Sequence, residues 1–485
     1  MKPNFLIFMT DQQRGDMQPT FQKAKTPNLE KLAKNGVVFR RAYCPSPHCC
    51  PSRATFFSGL YPSGHGVWNN VDLADALSKG LYDNVKLFSE DLKEAGYNLY
   101  YAGKWHVSAE ENPEDRGFET VYMTARQTGE RPEKKRFPDT RDWKWYEEKH
   151  YLCRGSDRKD GEIVREGFPQ YRQYGEKENP FGDRTVVNAA RDKLRNLPKN
   201  EPFCMYVGTL GPHDPYFVPE KYLKLYPPKE VNLPDSYKDD LSDKPHLYQR
   251  TQKRFRQLSK EEQKKSLQHY LAFCSYEDAL FGELLDELEN QNLLDTTIVI
   301  YLSDHGDYAG AHGLWTKGLP CFEEAYHICS VIGYGGIKNK SATVNELVSL
   351  ADYAPTFLEL ADVKIQRELT GRSLVPFLNG AVPQNWRTEM YTQSNGNELY
   401  GIQRAVFDNK FKFVYNGFDF DELYDLENDP HECNNLVNDP AYTGIIKSYY
   451  KKIWKFAYEN RDMIGDAYIT TALMEYGAGI IDDHL

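Results

Sequence analysis

A cysteine two residues before a proline and four before an arginine, Cys49-Cys50-Pro51-Ser52-Arg53, is a pattern with chemical content. Proline suits the first turn of a helix, where its missing N–H is not needed. The spacing therefore predicts a helix that opens at Cys49 and runs through Ala54-Thr55-Phe56-Phe57-Ser58 to Gly59. A side chain at a helix N-terminus meets unpaired N–H groups and the positive end of the dipole, which favour an anion. Arg53 lies one turn further on and shares the face of Cys49. A sulfur nucleophile with a guanidinium beside it, at a positive helix end, outlines a site for an oxyanion ester. Two other readings of the cysteines are a buried thiol and a zinc knuckle of Cys44, His48 and Cys50. The knuckle lacks a second spaced ligand pair.

Four more polar groups each fall just past a predicted strand. Asp11 and Gln12 follow Phe5–Thr10, and Lys104-Trp105-His106 follows Tyr97–Tyr101. His213, in Gly211-Pro212-His213-Asp214-Pro215, follows Phe203–Thr209, and Asp304-His305-Gly306 ends Thr296–Ser303, with Lys317 shortly after. A lone Asp after a strand is usually a cap and a lone His usually structural. Their joint placement matters, because open α/β sheets put their ligands outside the carboxyl ends of the strands.

The elements that must position these groups alternate between strand and helix. Phe5–Thr10 is a continuous apolar run of strand length. Thr26-Pro27 opens a helix with threonine as N-cap, and Gly36 closes it. Val85–Ala95 carries a helical stripe of Leu87, Phe88, Leu92 and Ala95 that stops at Gly96, and a long helix surrounds Leu267, Leu271, Cys274, Phe281, Leu285 and Leu288. The expected fold is α/β, a mostly parallel central sheet sandwiched by helices, with a smaller C-terminal α+β subdomain. Residues 1–375 are expected to form the catalytic domain, interrupted by charged insertions at about 126–183 and 229–264, either solvated surface or a lid. Residues 376–485, with short strands at Gly401–Phe407 and Phe411–Tyr415 and a helical tail, form the smaller subdomain.

The 485 residues are 40% hydrophobic and 27% charged, which excludes disordered and fibrous classes. A net charge of −11 argues against nucleic acid as a partner. No apolar run reaches the ~18 residues that span a membrane. The short apolar stretch before Asp11 is too small for a secretory leader, so a cytoplasmic location is expected, with export by a leader absent from this sequence as the alternative. Nine cysteines without a repeated pair spacing argue against a disulfide framework.

Cys49-x-Pro51-x-Arg53, with Gly59 ten residues after the cysteine, resembles the signature of type I sulfatases in the alkaline-phosphatase-like superfamily, and the flanking groups appear in that family's order. The resemblance covers residues 1–375 and implies a sulfuric-ester hydrolase acting on a small sulfate monoester (aryl, steroid, choline or sugar). It implies that Cys49 is oxidised by a formylglycine-generating enzyme to formylglycine, whose hydrate attacks sulfur. Cys50 stands where serine is common. The resemblance further implies a single divalent metal held by Asp11, Gln12, Cys49, Asp304 and His305, calcium with manganese as the alternative. Gln12 and His305 replace the commoner aspartate and asparagine, fit manganese better than calcium, and resemble the choline-sulfatase and phosphonate monoester hydrolase branch. Arg53 and Lys104 are implied to neutralise ester oxygens and His106 to act as base. His213 and Lys317 are implied to serve the leaving group, and Asn70 to contact sulfate. The alternative activity is a phosphonate monoester or phosphodiester hydrolase with the same nucleophile; Lys104 favours sulfate. A silent binding protein of this fold would not need every motif residue. Homo-oligomerisation is left open.

Overall fold

A strand buried on both faces must be apolar on both, and Phe5-Leu6-Ile7-Phe8-Met9 meets that demand. In the computed structural model, which describes residues 2–73, 76–124, 158–165, 171–177, 181–198, 200–397, 399–465 and 473–482, this segment lies inside an eight-stranded sheet. The strands are β1 (Asn4–Thr10), β2 (Gly36–Phe39), β3 (Asn98–Gly103), β4 (Glu119–Met123), β5 (Phe203–Gly208), β6 (Thr297–Ser303), β7 (Ser330–Tyr334) and β8 (Ala342–Val344). Their order is β8-β2-β7-β6-β1-β5-β3-β4. Only β7 runs antiparallel to its neighbours; β6, β1, β5, β3 and β4 form a parallel run. The main helices are α1 (Pro27–Lys34), α2 (Cys49–Ser58), α3 (Phe88–Glu94), α4 (Asp183–Arg195), α5 (Lys260–Asn290), α6 (Tyr353–Leu360) and α7 (Thr443–Glu459).

Strand alternation divides the core. Phe5, Ile7 and Met9 pack with Phe56, Phe57, Phe88 and Phe357 of α2, α3 and α6. Leu6 and Phe8 pack with Val186, Val187, Leu280 and Phe281 of α4 and α5. The sheet is thus covered on both sides, as alternating strands and helices require.

Register does the positioning. Thr10 pairs with Ser303, Met9 with Gly208, and Gly103 with Gly208. Asp11, Thr209, Lys104 and Asp304 therefore leave the sheet in one row.

Several local expectations need correction. Thr26 occupies the N-cap of α1 but makes no side-chain cap bond; Asp278 of α5 accepts from Asn28 N (3.1 Å) and Leu29 N (2.8 Å) instead. Gly36 does not end α1, which stops at Lys34, but starts β2. A Cβ there would lie 2.0 Å from the Ile332 carbonyl oxygen, so close strand approach rather than a helix end requires the glycine. The 229–264 stretch is not merely solvated, because it holds the helix His246–Phe255, whose Tyr248 is fully buried and donates to Glu422 at 2.7 Å. Most of the 126–183 insertion, including Trp143, Trp145 and Tyr146, lies outside the described residues.

Beyond the large sheet, β9 (Met390–Gly396), β10 (Tyr400–Phe407), β11 (Phe411–Asn416) and β12 (Glu422–Asp425) form an antiparallel sheet. Phe413 and Leu423 on its face pack against Tyr450, Ile453 and Trp454 of α7. Among the described residues no helix is long and apolar enough to cross a membrane, and the eight cysteines are free.

Candidate active site

Helix α2 begins at Cys49, with extended His48 as N-cap and Gly59 in the left-handed region (φ 74°) closing it. Every residue of α2 is buried, so the helix carries Cys49 into the protein rather than displaying it on the surface. The Cys49 Sγ lies 3.3 Å from His305 Nε2 and 3.8 Å from Asp11 Oδ1. Ligand atoms of Asp11, Cys49, Asp304 and His305 all lie within 4.8 Å of one another, and all four residues are buried. Cys50 points away, its Sγ accepting from Val71 N, and Cys44 faces the Ala325 carbonyl. The zinc knuckle is therefore not assembled.

The two carboxylates are held from behind. Arg53 Nε donates to Asp304 Oδ2 at 2.9 Å and its Nη2 to Asp11 Oδ2 at 3.3 Å, while its Nη1 donates to the Lys104 carbonyl and to Tyr206 Oη. Each guanidinium nitrogen has a protein partner, and the residue is 0% exposed. Lys104 Nζ donates to Asp11. Asp304 Oδ1 accepts from Gln12 N (3.1 Å) and His305 N (2.9 Å).

The charges of this row act on one another. Burial and the Cys49 sulfur push the Asp11 carboxyl up, but Lys104, His213 and Lys317 outweigh them and hold it well below the usual carboxylate range. Burial, Asp11 and Cys49 push Asp304 up, against His305 and Arg53. Two carboxylates in one buried site resist joint ionisation. Burial raises the Cys49 thiol, yet Lys104, Lys317 and His305 bring it well below its ordinary value. Burial, His305 and Lys317 together lower His48 to about 3, so this imidazole is neutral.

A second group faces the same space. His213 Nε2 lies 2.7 Å from Lys317 Nζ, and His213 Nδ1 2.6 Å from the Asp214 carbonyl. With the ammonium donating, Nε2 is the acceptor and the ring proton sits on Nδ1. Lys317 also donates to Gln12 Oε1 at 2.7 Å. The Gln12 amide in turn donates to Asp214 Oδ1 (3.2 Å) and Asp307 Oδ2 (2.5 Å). His106 Nε2 meets Asp72 Oδ1 at 3.0 Å, and its buried Nδ1 has no hydrogen-bond partner among the described residues. Gln12 (φ 70°) and His106 (φ 53°) both adopt left-handed backbone, a strain found where site geometry is over-determined. Asn70 Oδ1 accepts from Cys50 N at 3.1 Å, covering one free N–H of the α2 terminus.

The structure thus brings Asp11, Gln12, Cys49, Asp304, His305, Lys104, His213 and Lys317 together, with Arg53 behind the carboxylates and Asn70 on the amide of Cys50. The sequence reading missed three neighbours, Asp214, Asp307 and Asn397. Asp214 and Asp307 fix the Gln12 amide, and their places beside His213 and three residues after Asp304 were the available signal. Of the insertion's aromatic residues, which could stack on a substrate ring or merely pack, Tyr171 donates to Asp214 Oδ2 at 2.6 Å and Tyr174 turns into the core beside His269. Asn397, in the turn between β9 and β10, accepts from Asn70 N at 3.0 Å; no local pattern marks it.

The donor set fits a divalent cation: two buried carboxylates, an imidazole and the residue at position 49, with Asp11 Oδ1 turned toward Cys49 and His305. Another such group, Asp239, His312 and Cys433, already has Lys244 Nζ 3.5 Å from Asp239 Oδ2 as its cation. His312 bonds to Asp239 and stacks on Phe322, and His65 bonds to Thr55 Oγ1 and Val67 N.

The chain that carries this arrangement, a buried cysteine at a helix start facing two aspartates at adjacent strand ends, is similar to known proteins. The family described as Sulfatase matches residues 3–363, and one described as N-sulphoglucosamine sulphohydrolase, C-terminal, matches residues 310–459. The chain is 31% identical over 462 residues to a choline-sulfatase of Rhizobium meliloti (strain 1021), covering 90% of this chain and 83% of that one. It is 29% identical over 479 residues to an arylsulfatase of Clostridium perfringens (strain 13 / Type A), covering 95% of each. Its fold matches the crystal structure of the phosphonate monoester hydrolase of Agrobacterium radiobacter with a TM-score of 0.76, at 22% identity, covering 95% of this chain and 96% of that one. On the family match across three quarters of its length and the choline-sulfatase relationship, the chain belongs to the sulfatase family of the alkaline-phosphatase-like superfamily and is a sulfuric-ester hydrolase.

Proposed function

We propose that this enzyme cleaves a small organic sulfate monoester, an aryl, choline, steroid or sugar sulfate, using formylglycine formed from Cys49 and one divalent metal. The observation that carries the reading is the position of Cys49, buried at the start of α2 and within 4.8 Å of the Asp11, Asp304 and His305 ligand atoms. Asp11, Asp304, His305, Gln12 and the residue at position 49 would hold the metal, calcium or alternatively manganese. When present there, the metal and the aldehyde hydrate would supply an acidified hydroxyl as nucleophile, a chemistry no thiol at position 49 provides.

The remaining work falls to side chains. Lys104, fixed on Asp11, adds positive charge where ester oxygens gather. Arg53 acts through the two aspartates it grips, holding their separation and offsetting their charge. Asn70 contributes its amide at the sulfate end. His106, anchored through Nε2 by Asp72, is the base, taking at its unpartnered Nδ1 the proton whose loss frees sulfate. Lys317 and His213, in contact at 2.7 Å, serve the leaving oxygen. The proton starts on Lys317 Nζ; it reaches the leaving oxygen either from Nζ directly or, once passed to His213 Nε2, from the imidazolium, whose Nδ1–H the Asp214 carbonyl holds.

The phosphonate monoester or phosphodiester alternative rests on Gln12 and His305 as ligand types, while Lys104 favours sulfate. The test is a panel of aryl, choline, steroid and sugar sulfates run beside phosphonate monoesters and phosphodiesters, on protein with formylglycine at position 49 confirmed by peptide mass. Fastest turnover on a sulfate is expected. Fully active enzyme with unmodified cysteine at position 49 would overturn the mechanism.

A further inference from the structure

A second pair of carboxyl groups is buried one layer beneath the site. Asp183, the first residue of α4, accepts from Leu210 N and Gly211 N, both at 2.8 Å. These amides belong to the loop that carries His213. The same loop is tied to the candidate metal site, since Asp11 N donates to the Gly211 carbonyl at 3.1 Å, and Thr209 N donates to Met9 O at 3.0 Å. Glu277, in the middle of α5, is 0% exposed and presses on this loop: a Cβ on Gly211 would lie 2.1 Å from Glu277 Oε1. Among the described residues neither Glu277 oxygen meets a hydrogen-bond donor at normal geometry.

The groups facing Glu277 are Asp183 and Arg184 of α4, the Thr209 hydroxyl, Cys274 on its own helix and Tyr301 of β6. Among the described residues the cation of this group, Arg184, pairs with Glu283. An ionised Glu277 here would face the Asp183 carboxylate inside the fold, a state that burial and like charge make very costly. Asp183, with two N–H donors, is the better holder of the negative charge. Burial and Asp183 indeed push the Glu277 carboxyl well above its ordinary value.

We infer that Glu277 stays protonated and donates that proton to Asp183, and that this acid–carboxylate pair positions the Leu210–Gly211 backbone, and through it His213 and Asp11, for sulfate-ester hydrolysis. Both are positioning residues. The inference rests on the roles given to His213 and Asp11 above, but its first half stands independently of them. Glutamine keeps a donor at position 277 without a titrating proton; leucine keeps bulk without a donor.

Two measurements test it. The infrared difference spectrum between wild type and Glu277→Gln at neutral pH should contain the C=O band of one protonated carboxylic acid, and it can be recorded on protein with unconverted Cys49. Absence of that band overturns the shared proton. In converted enzyme, Glu277→Gln should keep kcat close to wild type, while Glu277→Leu should lower kcat on an alkyl sulfate by about tenfold or more with little change in KM, since small displacements of reacting groups are costly. Wild-type kcat in a folded Glu277→Leu variant overturns the positioning role. If that variant does not fold, loss of kcat in Glu277→Gln despite native circular dichroism overturns it instead, because the donor is retained. An acid band with no sulfate-ester turnover in converted wild type supports the pair and counts against the sulfate reading alone.

Discussion

Two pairs of carboxyl groups are buried within one loop of each other, and the protein treats them in opposite ways. Asp11 and Asp304 are surrounded by Arg53, Lys104, Lys317 and His305; Asp183 and Glu277 face each other beneath the Gly211 backbone, Asp183 held by the two amides of Leu210 and Gly211. The first pair keeps one oxygen of Asp11 turned toward Cys49 and His305, so it is built to receive charge. The second is closed by a proton. Buried acids thus mark function only when their surroundings leave an open side; where the neighbours are backbone amides, burial serves to hold a loop.

The largest difference between the pairs should appear on removing one carboxylate. Asp304→Ala is expected to abolish both metal content and turnover, because a charged ligand at the end of a buried strand supplies attraction in a fixed geometry. Gln12→Ala, which removes a neutral amide, should weaken metal binding by only about tenfold. Elemental analysis decides, and equal metal in wild type and Asp304→Ala would refute the assignment. At the other pair, Asp183→Asn should leave metal stoichiometry intact.

Next in size is the leaving-group effect. A nitrophenol departs with its own negative charge, whereas an alkyl alcohol needs a proton as the S–O bond breaks. His213→Ala should therefore be mild on an activated aryl sulfate and cost about 10²–10⁴-fold on an alkyl sulfate. Single-turnover rates show it, because product release cannot then mask chemistry. If both substrates are spared, Lys317, 2.7 Å away, is the donor; if both fall together along with Tm, His213 is structural.

How much of this could be read beforehand follows from what periodicity registers. The apolar run Phe5–Met9 and the proline at Pro51 are local signals, and β1 and α2 appear where they point. Strand ends that shift by a residue or two do not alter the row of Asp11, Lys104 and Asp304, because parallel register fixes it. Strand β9 was invisible since Gln393, Ser394 and Asn395 are buried polar residues that a hydrophobic pattern counts as exposed. They are buried because Gln393 donates to Asp462 at 2.6 Å and Arg404 pairs with that same aspartate, partners far away in sequence. Asn397 reached the site through that unseen hairpin, and the Asp183–Glu277 pair exists only through the packing of α4 on α5.

A smaller effect separates the pairs by what stabilises them. A divalent cation at the open pair binds the folded chain alone and should stabilise it by about 2.7 kcal/mol at a hundredfold excess over Kd. Urea unfolding of wild type with and without the metal measures this, and Asp304→Ala should lose the increment while Glu277→Gln retains it. Equal stabilisation of all three would place the cation elsewhere.

The smallest effect belongs to the closed pair and is one of pH. Glu277 has a folded-state pKa above its unfolded one, through burial and Asp183. Such a group binds its proton more tightly in the folded chain, so its contribution to stability is fully present below the ordinary glutamate range. It is lost as pH rises toward the raised folded value. Within that window each pH unit removes at most about 1.4 kcal/mol from wild type relative to a variant that cannot ionise there. Glu277→Gln should therefore gain on wild type as pH increases, with the two urea midpoints diverging on the alkaline side and converging toward acid. The open pair runs the other way at Asp11, whose depressed value makes its contribution present above the ordinary aspartate range and lost on acidification. Asp11 titrates in both proteins, so its slope cancels in the comparison of Glu277→Gln with wild type. A stability difference between them that is flat from mildly acidic to alkaline pH would mean that Glu277 is ionised in the fold, and the closed pair would then need a cation that the Arg184–Glu283 ion pair does not release.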